Sequence, residues 1–185
     1  IGVVIALAVY SRIKKLSFAS LCDLAAFGLL IGQCIGRWGN FVNREAFGAE
    51  TDSFLRMGLL NPATGVVTYY HPTFLYESVW NLVGFLLLHI LSKHRKFDGE
   101  IALGYATWYG LGRAWIEGLR TDSLYLDSTD IRVSQLLAAL SFVVGGILLV
   151  YLRFCRKNDP QKLFVNRVAA QKAAEEAAEN AEKEE

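Results

Sequence analysis

The feature that most constrains this chain is a series of long apolar runs interrupted by basic clusters. Segment 133–152 has no charged side chain, and 18–36 has only Asp23. A helix of about 20 such residues, rising about 1.5 Å each, covers the roughly 30 Å of a bilayer's hydrocarbon. Runs 73–91 and 101–119 meet the same requirement, whereas 1–10 is short. That first run opens on Ile1 with no basic flank or cleavage signal, so it is expected to be the end of a span in a chain that starts partway through a larger protein. The expected fold is an all-α polytopic membrane helix bundle.

Composition agrees, because 53% hydrophobic residues and a mean hydropathy of +0.28 are too apolar for an ordinary soluble domain. The net charge of +1 conceals segregation: charges avoid the apolar runs and gather between them and in the tail. No basic stripe suits a nucleic acid, so no nucleic-acid partner is expected. Cys22, Cys34 and Cys155 form no CxxC pair and read as free thiols, giving neither a disulfide framework nor a metal site.

The connections alternate in charge. Arg12, Lys14 and Lys15, then Lys93, Arg95 and Lys96, then Arg153, Arg156 and Lys157 flank every second boundary, which the positive-inside rule assigns to the cytoplasm. The expected organisation is a multi-pass membrane domain over 1–157, an extracytoplasmic cap over 37–72 and a charged cytoplasmic tail over 158–185. Within the cap, FLRMGLL and VVTYYHP flank the turn-rich NPATG, so a small β-hairpin is expected there. Gly28, Gly32 and Gly36 recur every four residues, a spacing that suits close approach of a neighbouring helix. The tail is rich in Ala, Glu and Lys without a sustained apolar stripe and reads as a solvated helix or disorder, a partner-binding tail being the sharper alternative.

Three polar constellations break the apolar pattern. GRWGNFVNREAFG, residues 36–48, crowds Arg37, Asn40, Asn43, Arg44 and Glu45 against the end of a span. Arginine forks and carboxamides at a membrane boundary suit an anionic phosphate. On 101–119, Tyr109, Arg113 and Glu117 share one helix face, followed by Arg120 and Asp122. HPTFLYE, residues 71–77, places His71, Tyr76 and Glu77 at the start of another span. Each alone reads equally well as a structural hydrogen bond or a charge pair neutralised for insertion. Topology, however, sends all three to the same outer leaflet, so one cavity holding a lipid phosphate is expected.

These blocks resemble the prolipoprotein diacylglyceryl transferase family, whose signature is matched at Gly36, Arg37, Gly39, Asn40, Asn43, Glu45 and Gly48. HPTFLYE and YGLGRAWIEGLRTD resemble two further family blocks in the same order. The similarity covers most of the chain to about Arg156, but lacks the family's earlier spans and a His-Gly-Gly block. The resemblance implies transfer of diacylglyceryl from phosphatidylglycerol to the lipobox cysteine of a prolipoprotein, without a cofactor, at the outer face of a bacterial plasma membrane. Its implied partners are phosphatidylglycerol, prolipoprotein signal peptides and membrane lipids. Arg37, Arg113, Glu45, Tyr109 and Glu117 are then the expected catalytic residues. Arg37, Asn40, Asn43, Gly48, His71, Glu77 and Arg120 are the expected substrate-binding ones. Within that set, Tyr109 and Glu117 would position Arg113, while Glu45, His71 and Glu77 would orient arginines or handle the thiol proton. A transporter or channel, and a scaffold acting through the tail, are the competing classes. Transport requires polar positions continuing across the bundle, and a scaffold requires the tail but not Arg37.

Overall fold

The computed structural model describes residues 2–119 and 132–184. Helix α1 (Gly2–Ile13) turns at Lys15, which takes a left-handed conformation, into α2 (Phe18–Asn43), capped by the Ser17 side chain accepting from Ser20 N at 3.3 Å. Strands β1 (Met57–Leu60) and β2 (Val67–Tyr70) follow, then α3 (Thr73–Ser92) and α4 (Glu100–Ile116), which tightens into one 3₁₀ turn (Glu117–Leu119). Helix α5 (Val133–Val150) widens into a π turn (Tyr151–Cys155), and α6 (Phe164–Glu184) closes the chain.

Three of these elements are long and apolar enough to cross a membrane: Phe18–Asn43, Thr73–Ser92 and Val133–Cys155. The fourth expected span is the 17-residue α4 with its 3₁₀ turn. Burial is inverted relative to a soluble domain. Asp23, Glu77, Asn81, Glu100 and Glu117 are buried, while Leu24, Val42, Leu86 and Ile147 are exposed. Such a surface suits lipid and would be a liability in water.

The register of the bundle is set by a few close contacts. Trp80 and Trp108 stack at 4.3 Å, and each indole N–H donates to the other residue's backbone carbonyl, at 3.0 and 2.9 Å. Gly112 packs under the Trp80 ring and Gly84 under the Trp108 ring, where a Cβ would collide. Helices α3 and α4 are thereby locked antiparallel. At the basic end, buried Asp23 of α2 accepts from Gly99 N at 2.8 Å and Ala102 N at 2.9 Å, capping the first turn of α4 from a different helix. Nearby, buried Glu100 pairs with Arg153 beyond α5. Between the two ends, Ala26, Leu30, Leu88 and Ile101 form an apolar core cluster.

The expected hairpin is present, with Met57 opposite Tyr70 and Leu60 opposite Val67. Arg56 lies 4.2 Å over the Tyr69 ring. The glycine stripe differs from expectation: a Cβ at Gly28, Gly32 or Gly36 would meet nothing within 4 Å, so among the described residues this face of α2 is open. The tail is helical, its side chains over 169–180 are exposed, and its start is tied to the bundle by Phe164 N donating to Asp98 Oδ2 at 3.0 Å.

Candidate active site

No helix-breaking residue separates the apolar run of α2 from the motif after it, so the helix continues through Arg37 and Asn40 to Asn43. It stops at Arg44, whose left-handed conformation lets its backbone N–H reach back to Phe41 O. Arg37 is thus carried rigidly on α2. Its Nη2 lies 2.6 Å from Glu77 Oε2 on α3. The same carboxylate meets Arg113 of α4, Nη1 to Oε1 at 3.3 Å, and Arg113 Nη2 meets Glu117 Oε2 at 2.8 Å. Helix α5 adds a fourth wall: Ser134 Oγ donates to Glu117 Oε1 at 2.8 Å, and Arg132 Nη1 donates to the Glu117 carbonyl.

The arrangement is asymmetric in a useful way. The glutamate side chains are 5% and 3% exposed, while Arg37 and Arg113 are 20% and 19% exposed. The carboxylates are more deeply buried than the guanidinium groups they hold. Five donors per arginine allow such sharing. Two cations held by buried anions on different helices are a preorganised pair of forks that an anion could occupy. It costs little to reorganise when a ligand arrives.

The other expected residues separate into groups. Asn40 is half-buried on α2 one turn from Arg37, and its backbone carbonyl accepts from Glu45 N at 3.0 Å. Asn43 and Glu45 are exposed and bonded to one another at 3.2 Å, and neither is among the partners of Arg37 or Arg113 given above. His71 Nδ1 lies 3.2 Å from the Tyr76 hydroxyl, which donates to Leu55 O at 3.3 Å, tying the helix entrance to the cap. Gly48 is buried where strands of backbone cross: its N–H donates to His71 O at 2.9 Å, and a Cβ would lie 2.7 Å from His71 Cβ and 2.9 Å from Leu119 O. Close packing therefore explains this glycine. Tyr109 makes no hydrogen bond to Arg113; its ring stacks on Tyr105 at 5.6 Å. Arg120 lies outside the described residues.

Sequence reasoning missed Ser134 and Ser78. The signal for Ser134 was a hydroxyl at the second position of the last apolar run, two residues after Arg132. Ser78 Oγ donates to Cys34 O at 2.9 Å and accepts from Trp38 Nε1 at 3.2 Å, fastening α2 to α3 beside the arginine cluster. No group of three or more His, Cys, Asp or Glu side chains that could hold a metal ion occurs among the described residues.

A family model described as "Prolipoprotein diacylglyceryl transferase" matches residues 1–151. The chain is 47% identical over 166 residues to the phosphatidylglycerol–prolipoprotein diacylglyceryl transferase of Listeria monocytogenes serotype 4a (strain HCC23), covering 86% of this chain and 59% of that protein. It is 45% identical over 161 residues to the transferase of the same name from Lysinibacillus sphaericus (strain C3-41), covering 83% and 59%. With the Enterococcus faecalis (strain ATCC 700802 / V583) transferase it shares 44% over 177 residues, covering 90% and 61%. The chain therefore spans about three-fifths of the length of these relatives.

Proposed function

The chain belongs to the prolipoprotein diacylglyceryl transferase family, and from that premise we propose that the complete protein transfers diacylglyceryl from phosphatidylglycerol to the lipobox cysteine of prolipoproteins. The observation that carries this reading is the placement of Arg37 and Arg113 on two helices around one buried carboxylate, Glu77. A phosphate seated there leaves its acyl chains in the bilayer.

In the reaction, the cysteine sulfur attacks the glycerol carbon bonded to the phosphate. The carbon–sulfur bond forms as the carbon–oxygen bond breaks, and glycerol phosphate leaves with the electron pair. Negative charge on the departing phosphate grows in front of the two guanidinium groups, which are strongest where water is excluded. Arg37 with Asn40 binds the headgroup, and Arg113, braced by Glu117, stabilises the leaving phosphate. Glu77 is committed to both arginines. His71, whose Nδ1 lies 3.2 Å from the Tyr76 hydroxyl and which holds no ion pair among the described residues, is the candidate to receive the thiol proton. The site faces the outside of a bacterial plasma membrane, with the basic connections and C-terminal tail in the cytoplasm and prolipoprotein signal peptides arriving through the bilayer. The hairpin belongs to an extracytoplasmic cap over 37–72, and 158–185 to the tail. A translocation path is disfavoured, because Ala26, Leu30, Leu88 and Ile101 fill the bundle below the site with apolar side chains.

The test is a substitution series in the complete, membrane-inserted protein. Arg37→Gln and Arg113→Gln each should lower transfer by about a hundredfold or more, and Lys should rescue only in part because it lacks the fork. A structural Arg113–Glu117 pair would tolerate joint replacement by Gln, whereas a phosphate-binding arginine would not. Near-normal transfer by the well-inserted double variant would overturn the role of Arg113.

A further inference from the structure

Each of the three helices that build the arginine cluster carries a second polar side chain about one turn deeper. On α2 it is Gln33, four residues before Arg37; on α3, Asn81, four residues after Glu77; on α4, Tyr109, four residues before Arg113. The contacts that fix the register bring these three to one level. Gly112 against Trp80 and Gly84 against Trp108 set Asn81 and Tyr109 at similar depth in the antiparallel α3–α4 pair. Gln33 Nε2 donates to the Tyr105 hydroxyl at 3.0 Å, and the Tyr105 ring stacks on Tyr109 at 5.6 Å, which joins Gln33 to the same layer.

This layer is incompletely satisfied. Asn81 is 2% exposed and its Oδ1 has no hydrogen-bond partner among the described residues. The buried Oε1 of Gln33 has none either, while its Nε2 donates to the Tyr105 hydroxyl at 3.0 Å. Two carboxamides held at membrane depth without full pairing are expensive unless a ligand completes them. Immediately below lies the apolar cluster of Leu30, Leu88 and Ile101, so the layer is where the polar part of the bundle ends and not part of a path across it.

Resting on the lipid-phosphate reading above, we infer that Gln33, Asn81 and Tyr109 form a subsite for the ester carbonyls of the diacylglycerol. One helical turn is about 5.4 Å. On the acyl side of a phospholipid phosphate, the polar groups within that reach are the two ester linkages, whereas the headgroup alcohol lies on the opposite side. A carbonyl needs donors. The Tyr109 hydroxyl supplies one, and a half-turn of either carboxamide exchanges its oxygen for its NH₂ without changing bulk. The Tyr105 hydroxyl, which now accepts from Gln33 Nε2 at 3.0 Å, donates to Gln33 Oε1 after that half-turn and so holds the amide in either orientation. The subsite therefore selects ester-linked over ether-linked lipid and sets the depth at which the reacting glycerol carbon faces Arg113.

The experiment compares transfer to a lipobox peptide from diacyl phosphatidylglycerol and from its dialkyl ether analogue, using the complete protein. Wild type should prefer the diester by about tenfold in kcat/KM, the scale of one lost hydrogen bond. Asn81→Leu and Gln33→Leu should each erode that preference by lowering transfer from the diester while changing transfer from the diether much less. The wild-type comparison needs no variant and stands even if one misfolds. Equal use of the two lipids by wild type would overturn the ester subsite, as would variants that lose both activities alike, the behaviour of a packing residue. Transfer from neither lipid would instead overturn the reading on which the subsite rests.

Discussion

At the scale of single residues, the chemistry depends on which side chains bury their charge and which present it. The Arg113–Glu117 pair was legible in the sequence, because residues four apart on a helix face one another and the two meet at 2.8 Å. That Glu77 would hold both Arg37 and Arg113 was not legible: a spacing within one helix says nothing about the register between helices, which here depends on Trp80, Trp108 and the glycines beneath them. Glu77→Gln should therefore impair transfer by loosening both arginines, with a larger loss than Glu45→Gln, whose partner is the exposed Asn43. Equal losses in a transfer assay would remove Glu77 from its orienting role. Gly48 was expected to bind substrate, and the structure gives it a packing reason. Gly48→Ala must displace His71 or Leu119, so it should lower both thermal stability and transfer. A normal unfolding temperature with lost transfer would restore a direct substrate role.

At the scale of elements, hydropathy located the spans well and misjudged their ends. The apolar run closing at Gly36 suggested a boundary there, yet α2 runs on to Asn43 because nothing before Arg44 breaks the helix. Helix α4 stops sooner than its run suggests, tightening at Glu117, where Ser134 and Arg132 from the next element take hold of that residue. The glycine stripe marks a face shaped for close approach, but spacing alone cannot name its partner, and within the described residues none covers it. The cap on α4 was also hidden, since Asp23 reads as an isolated charge in a span until Gly99 and Ala102 are seen to donate to it. Asp23→Ala should leave two N–H groups unpaired and cost about 1–3 kcal/mol. The readout is the thermal midpoint of the detergent-solubilised complete protein, with the exposed Leu24→Ala as control. Equal midpoints for the two would show that the cross-helix cap contributes nothing.

At the scale of the whole molecule, the bundle is polar at one end, charged and basic at the other, and apolar between. Arg37 and Asp23 lie 14 residues apart on α2, about 21 Å along the axis, so the arginine cluster and the basic connections lie toward opposite ends of the bundle. With the native cysteines replaced, a cysteine at Asp52 should react with an impermeant reagent in intact cells, and one at Lys157 should not. The reverse pattern would invert the topology. The central claim is that this cluster of arginines acts on a phospholipid during transfer to a thiol. The most direct measurement supplies the complete protein with phosphatidylglycerol and a lipobox peptide and weighs the peptide by mass spectrometry. A diacylglyceryl thioether on cysteine, formed by wild type and reduced about a hundredfold or more in Arg113→Gln, is the expected result. An unmodified peptide, under conditions in which a known transferase modifies it, would contradict the claim.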